Sequence, residues 1–119
     1  MKSKFILLLI TLLLLCSCSS QKQINKVSCN QMKDILDKDN SILIDVRTEE
    51  EYNEKHLDNA INIPLDKIES SIKNNKDINK ETNIIVYCKS GIRSSKAASI
   101  LSNLNYQNIY DLGSISKCS

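Results

Sequence analysis

The sequence has no Trp, one Phe, one His and one Pro, and only two Gly among its 119 residues. So little Gly and Pro excludes collagen-like and loop-dominated architectures. With four Tyr and one Phe as the aromatics, a core has to be assembled from aliphatic side chains, Ile foremost. A single His and no Cys-x-x-C leave no spacing suited to a structural zinc site, so no metal is expected. Charge of one sign is lacking as well. The formal net charge is +2, and Lys2 and Lys4 account for it, so the rest of the chain is balanced. Without a global positive field, nucleic acid is not an expected partner. Hydrophobic residues at 41% and charged residues at 25% are ordinary globular values, and the length suits one domain.

Hydropathy is concentrated at the start. Residues 5–15 read Phe-Ile-Leu-Leu-Leu-Ile-Thr-Leu-Leu-Leu-Leu behind Lys2 and Lys4. The run is about half the ~20 residues a membrane-spanning helix needs. A basic start before a short apolar stretch predicts a secretory signal peptide over residues 1–17. Leu15-Cys16-Ser17-Cys18 follows, and the small Ser17 just before Cys18 resembles the lipobox of bacterial lipoproteins. That resemblance implies diacylglycerol on Cys18 and a lipidated tether over residues 18–23. It also implies a place on the extracytoplasmic face of the bacterial cell membrane, held by the lipid anchor only. Cys16 fits less well, because Leu15 would stand where the cleavage site takes a small residue. A plain signal peptide or an uncleaved anchor is the alternative.

Removing Cys16 and acylating Cys18 leaves Cys29, Cys88 and Cys118 in the folded body. Three is odd, so at least one thiol is unpaired even in an oxidising compartment.

From residue 24 onward, apolar runs alternate with amphipathic stretches. Ile24–Val27 reads as an edge strand. Ser28-x-x-Gln31 is a capping box, and Met32, Ile35 and Leu36 at helical spacing predict a helix over 29–38. The apolar run Ser41–Val46 predicts a strand covered on both faces. Thr48-x-x-Glu51 opens a second, short helix to about Lys55. Ala60–Ile63 predicts a short strand stopped by Pro64, and Asp66-x-x-Glu69 a helix carrying Ile68 and Ile72. Thr82–Tyr87 predicts another buried strand, residues 94–104 an amphipathic helix, and Asn108–Leu112 a last strand. This alternation predicts a single α/β domain over residues 24–119 with a mainly parallel sheet.

The chemistry is predicted at Cys88-Lys89-Ser90-Gly91-Ile92-Arg93-Ser94, where a strand hands over to a helix. Open α/β sheets place ligands at that carboxyl edge. Gly91 permits a turn whose backbone N–H groups converge on the sulfur. The start of the following helix, Lys89 and Arg93 add positive charge, and all favour thiolate over thiol. A structural Cys before a helix is the bland account, but an inert Cys has no need of Gly three residues on and Arg five residues on.

Three segments together carry a resemblance. Asp45-Val46-Arg47, continuing to Glu51-Tyr52, resembles the D-V-R-x-x-x-E-[YF] segment of rhodanese domains. His56-Leu57-Asp58-Asn59-Ala60-Ile61-Asn62-Ile63-Pro64 is similar to their G-H-I-x-G-A-x-N-I-P segment. Cys88 through Ser94 resembles the active loop C-x-x-G-x-R-S, and Leu112-Gly113 the closing L-G-G. The resemblance implies a three-layer α/β fold with helices on both faces of the sheet. It implies a thiosulfate or persulfide sulfurtransferase that uses Cys88 as nucleophile and needs no cofactor. Its substrates would be a small anionic sulfur donor such as thiosulfate and a thiol or protein acceptor. Lys89, Ser90, Gly91, Ile92, Arg93 and Ser94 would bind the donor, Arg93 through its sulfonate. Asp45, Arg47 and His56 would give structural support, the first two as a buried ion pair or cap. Arg47 could also pair with Glu51.

Two other classes stay open. A membrane-tethered rhodanese-like interaction module would lack turnover. A cysteine phosphatase or arsenate reductase would carry C-x5-R, one residue more than separates Cys88 from Arg93 here. Among the departures, Lys55 and Asn59 replace family glycines, and Ser114 replaces the second Gly of the closing pair. Asn tolerates a left-handed backbone, so the Asn59 turn survives, while Lys55 implies a turn built differently. Cys118 stands where the family shows a large aromatic. It is expected either to be an incidental Cys in a mobile tail or to reach Cys88, by sulfur transfer or a disulfide.

Overall fold

The computed structural model describes residues 23–119. The predicted signal peptide, Cys18 and residues 19–22 of the tether lie outside the described residues. Five strands form one sheet: β1 (Ile24–Lys26), β2 (Ser41–Asp45), β3 (Ile61–Asn62), β4 (Asn83–Cys88) and β5 (Asn108–Ser114). Their order is β1-β5-β4-β2-β3, and every pairing is parallel. The helices are α1 (Cys29–Leu36), α2 (Glu49–Glu54), α3 (Ile68–Asn74) and α4 (Ile92–Asn103), with 3-10 turns at Leu65–Lys67 and Ile115–Cys118.

β4 is central because its side chains are apolar in both directions. Ile84, Val86 and Cys88 pack with Ile44 of β2, Ile68 and Ile72 of α3, and Ala97, Ala98 and Leu101 of α4. Ile85 and Tyr87 face the other way, against Leu43, Leu112 and Met32 and Ile35 of α1. Alternate residues of one strand thus feed two cores, the reason Ile84–Cys88 is apolar without a break. The result is the expected three-layer α/β fold.

Local signals account for most boundaries. Both capping boxes are made: Ser28 with Gln31 at the start of α1, and Thr48 with Glu51 at the start of α2. Other boundaries differ from the sequence expectation for identifiable reasons. Asp66 makes no cap; after Pro64 the Leu65 N–H is taken by the Val46 carbonyl (3.1 Å), and the Leu65–Lys67 turn leads straight into α3. α4 starts at Ile92 rather than 94, because Gly91 at φ +100 supplies the turn into the helix. β5 runs two residues past Leu112 through a bulge opposite Val86 and Tyr87. Asn59 is left-handed (φ 66), as its residue type allows. Lys55 is extended instead (φ −166), and its carbonyl accepts Arg47 Nη2 at 2.6 Å.

The expectation for Cys118 is corrected. Cys118 is neither incidental nor joined to Cys88; it forms a disulfide with Cys29, 89 residues away, with 5.3 Å between the Cα atoms. Cys29 and Cys118 pack on the α1 side of the sheet, and Cys88 belongs to the core on the α3–α4 side. Cys88 is the free cysteine among the described residues.

Candidate active site

β4 carries Cys88 to the carboxyl edge of the sheet, and the chain turns at once into α4. The first N–H groups of a helix have no partner within it, and here the sulfur serves. Cys88 Sγ accepts the N–H of Gly91 at 3.0 Å and of Ser94 at 3.3 Å. The Ser94 hydroxyl donates to the Gly91 carbonyl at 3.1 Å. Burial pushes the Cys88 thiol up, but the N–H groups of Ser94, Gly91 and Ser90 outweigh it, so it lies below its ordinary value. The sulfur is fully covered, 0% exposed. Lys89 and Ser90 are exposed, and the Ile92 side chain stands into solvent at 65% exposure.

Arg93 reaches back to α2. Its Nη1 and Nη2 donate to Glu51 Oε1 and Oε2 at 2.6 and 3.0 Å, a bidentate pair. Lys89 makes no ion pair among the described residues. A sulfur held by backbone N–H groups in a short C-x-x-G-x-R-S turn, between a parallel strand and a helix, now stands on observed geometry.

The model of the family described as "Rhodanese-like domain" matches residues 28–118. The chain belongs to the rhodanese-like family. Among curated relatives it is 37% identical over 79 residues to a protein of Schizosaccharomyces pombe assigned as a mitochondrial thiosulfate sulfurtransferase, covering 58% of this chain and 56% of that one. It is 30% identical over 87 residues to the tRNA uridine(34) hydroxylase of Photorhabdus laumondii, covering 71% of this chain and 25% of that one. The chain thus spans about half and a quarter of these two relatives. Among solved structures, a rhodanese from E. coli with bound anions is 34% identical at a TM-score of 0.61, covering 65% of this chain and 89% of that one. A human single-domain sulfurtransferase, 22% identical with a TM-score of 0.69, covers 78% and 93% and shares the fold.

In this rhodanese-like domain, Asp45 and Arg47 form a buried pair behind the loop. Asp45 accepts Arg47 Nη2 at 2.7 Å and Nε at 3.0 Å, and the Arg47 backbone N–H at 2.9 Å. Arg47 also lies 5.8 Å from the centroid of the Tyr87 ring, while Asp45 and Glu51 are divided between the two arginines. His56 is exposed. Its ring stacks on Tyr52 (3.8 Å between centroids), and Nδ1 lies 2.8 Å from the Tyr52 carbonyl, which can only accept, so the proton sits there. That is a structural hydrogen bond at the end of α2, away from the sulfur's own contacts.

The sequence reading missed Glu51 as the partner of Arg93. Its local signal, a capping box, was also true, and the 42 residues between the two carry no pattern. Hydrogen bonding from Arg93, against burial and with help from Thr48, holds the Glu51 carboxyl down at about 2. A carboxylate lowered on folding stabilises above its unfolded value and loses that contribution as pH falls through its folded one. The urea midpoint of wild type is therefore expected to fall, relative to Glu51→Gln, as pH drops from about 4.5 towards 2. Parallel curves for the two proteins would show that the pair is neutral to stability.

Proposed function

We propose that the chain is a sulfurtransferase that carries sulfane sulfur as a persulfide on Cys88. In the first half-reaction the Cys88 thiolate attacks the outer sulfur of thiosulfate. The donor's S–S bond breaks, its electron pair leaves with sulfite, and Cys88 holds the transferred sulfur. In the second, a nucleophile takes that sulfur and the thiolate returns; cyanide serves in the assay, and a thiol or protein is the natural class. Two half-reactions through a covalent form imply ping-pong kinetics. The observation that carries this reading is the Gly91 and Ser94 N–H pair on Cys88 Sγ, which stabilises the thiolate both as attacking and as leaving group.

The test is mass spectrometry after thiosulfate treatment. A gain of one sulfur on the Cys88 peptide, discharged by cyanide, is expected. No gain from either thiosulfate or a persulfide donor would favour the interaction-module reading, which draws on the complete covering of the sulfur.

Within this reading the two cations divide their work. Arg93 is committed to Glu51 and Lys89 is free to meet the donor's anionic end. Lys89→Ala is expected to raise KM for thiosulfate about two- to fivefold, the scale of one exposed charge, and to leave an uncharged persulfide donor unaffected. Arg93→Ala is expected to slow both donors alike. A loss confined to thiosulfate would return Arg93 to the sulfonate.

The proposed location is the extracytoplasmic face of the membrane, anchored through diacylglycerol on Cys18. The Cys29–Cys118 disulfide supports it, since such bonds persist in oxidising compartments. Cys18→Ala is expected to leave the membrane fraction or to accumulate as precursor. A lipid-bearing, membrane-bound variant would overturn the assignment.

A further inference from the structure

We propose that Ser114 is a positioning residue for the Cys88 loop, held in place by the Cys29–Cys118 disulfide, so that the loop answers to the redox state of that pair. The proposal rests on the reading of Cys88 as the nucleophile.

The bulge in β5 makes the contact possible. β4 and β5 run in register as far as Val86 opposite Asp111; then Leu112 is passed over, Tyr87 faces Gly113, and Cys88 faces Ser114. Gly113 takes φ +81, and its N–H is fixed by Asp111 Oδ1 at 2.9 Å. Gly91 of the loop lies against it: a Cβ added there would be 3.7 Å from Gly113 Cα. Ser114 Oγ then donates to the Lys89 carbonyl at 2.6 Å. Its single proton is used there, so its lone pairs accept the Ser116 N–H (3.2 Å) and the Ser116 hydroxyl (2.7 Å).

The Lys89 carbonyl belongs to the same peptide group as the Ser90 N–H. No cis peptide is present among the described residues, so in this planar trans unit the two groups point in opposite directions. A carbonyl held outwards by Ser114 turns the Ser90 N–H towards the side of the loop where the Gly91 and Ser94 N–H groups bond Cys88 Sγ, adding its dipole to theirs. The other end of the device is the turn Ile115–Cys118. It carries Ser116 and closes on Cys29, the first residue of α1. A dithiol that reduced this bond would deliver two electrons and two protons, leaving two thiols and its own cyclic disulfide. The turn would then be held by its hydrogen bonds alone. A Gly at position 114 could make none of these side-chain contacts.

The experiment follows alkylation of Cys88 by iodoacetamide against pH in the full chain, read on the Cys88 peptide by mass spectrometry. Ser114→Ala is expected to move the midpoint upwards, slowing the acid arm about tenfold, the scale of one hydrogen bond to a charged group. The alkaline plateau should be unchanged, and Ser114→Thr should restore the profile. Cys118→Ser and Cys29→Ser should each shift the midpoint the same way by less, and Ser114→Ala with Cys118→Ser should match Ser114→Ala alone. Where the cysteine variants fold poorly, wild type reduced with dithiothreitol, freed of reductant before alkylation, answers the same question. An unmoved midpoint in Ser114→Ala overturns the positioning role. Unmoved cysteine variants or reduced wild type, or additive shifts, overturn the role of the disulfide. Alkylation needs no sulfur transfer, so failure of Cys88 to take up sulfur would sink the sulfurtransferase reading and leave this midpoint to be judged separately.

Discussion

Cys88→Ser is expected to abolish thiosulfate:cyanide transfer, by on the order of a thousandfold or more. The serine hydroxyl is not ionised at neutral pH and cannot form a persulfide, so both half-reactions lose their covalent form. The loop N–H groups lose nothing else, because a hydroxyl oxygen can accept from Gly91 and Ser94 much as the sulfur does. The fold should therefore persist, with thermal unfolding close to wild type. Thiocyanate formation measured beside a melting curve separates the two effects. Transfer surviving at more than a small fraction of wild type, in a folded variant, would place the sulfur chemistry elsewhere.

Asp45→Ala is expected to be the most destabilising single change in the support of the site. Asp45 is 0% exposed and Arg47 6%, so removing the carboxylate leaves a guanidinium buried with only the Lys55 carbonyl and the Tyr87 face as company. Breaking a buried pair from one side costs about 3–5 kcal/mol, most of it the desolvated charge left behind. The double variant Asp45→Ala with Arg47→Met should recover part of the loss, because the stranded charge goes too. Urea unfolding checks both. A loss below about 1 kcal/mol would mean that water reaches Arg47 and that the pair is not the buried prop its geometry indicates.

Much of the fold was legible because its causes are local. The apolar runs at 42–44 and 84–87 marked strands covered on both faces, and the Ser28 and Thr48 boxes marked helix starts within one turn. Boundaries slipped where a neighbour in space intervened: Val46 capturing the Leu65 N–H, or the bulge carrying β5 on to Ser114. The candidate nucleophile was legible for the same reason as the strands. Cys88, Gly91 and Ser94 lie within seven residues, so a strand, a left-handed glycine and a helix start bring them together without help from the rest of the chain.

What the sequence by itself determined was therefore the layer architecture and the Cys88 loop, both written in short-range patterns of apolarity, capping and turn geometry. The tertiary structure decided the partners: Arg93 with Glu51 across 42 residues, Ser114 with Lys89 across 25, Cys118 with Cys29 across 89. Each depends on the strand order β1-β5-β4-β2-β3, which brings α2 and the Ile115–Cys118 turn to the edge where β4 ends. Side-chain type states what a residue can bind, and the order of strands in the sheet selects which of the possible partners it meets.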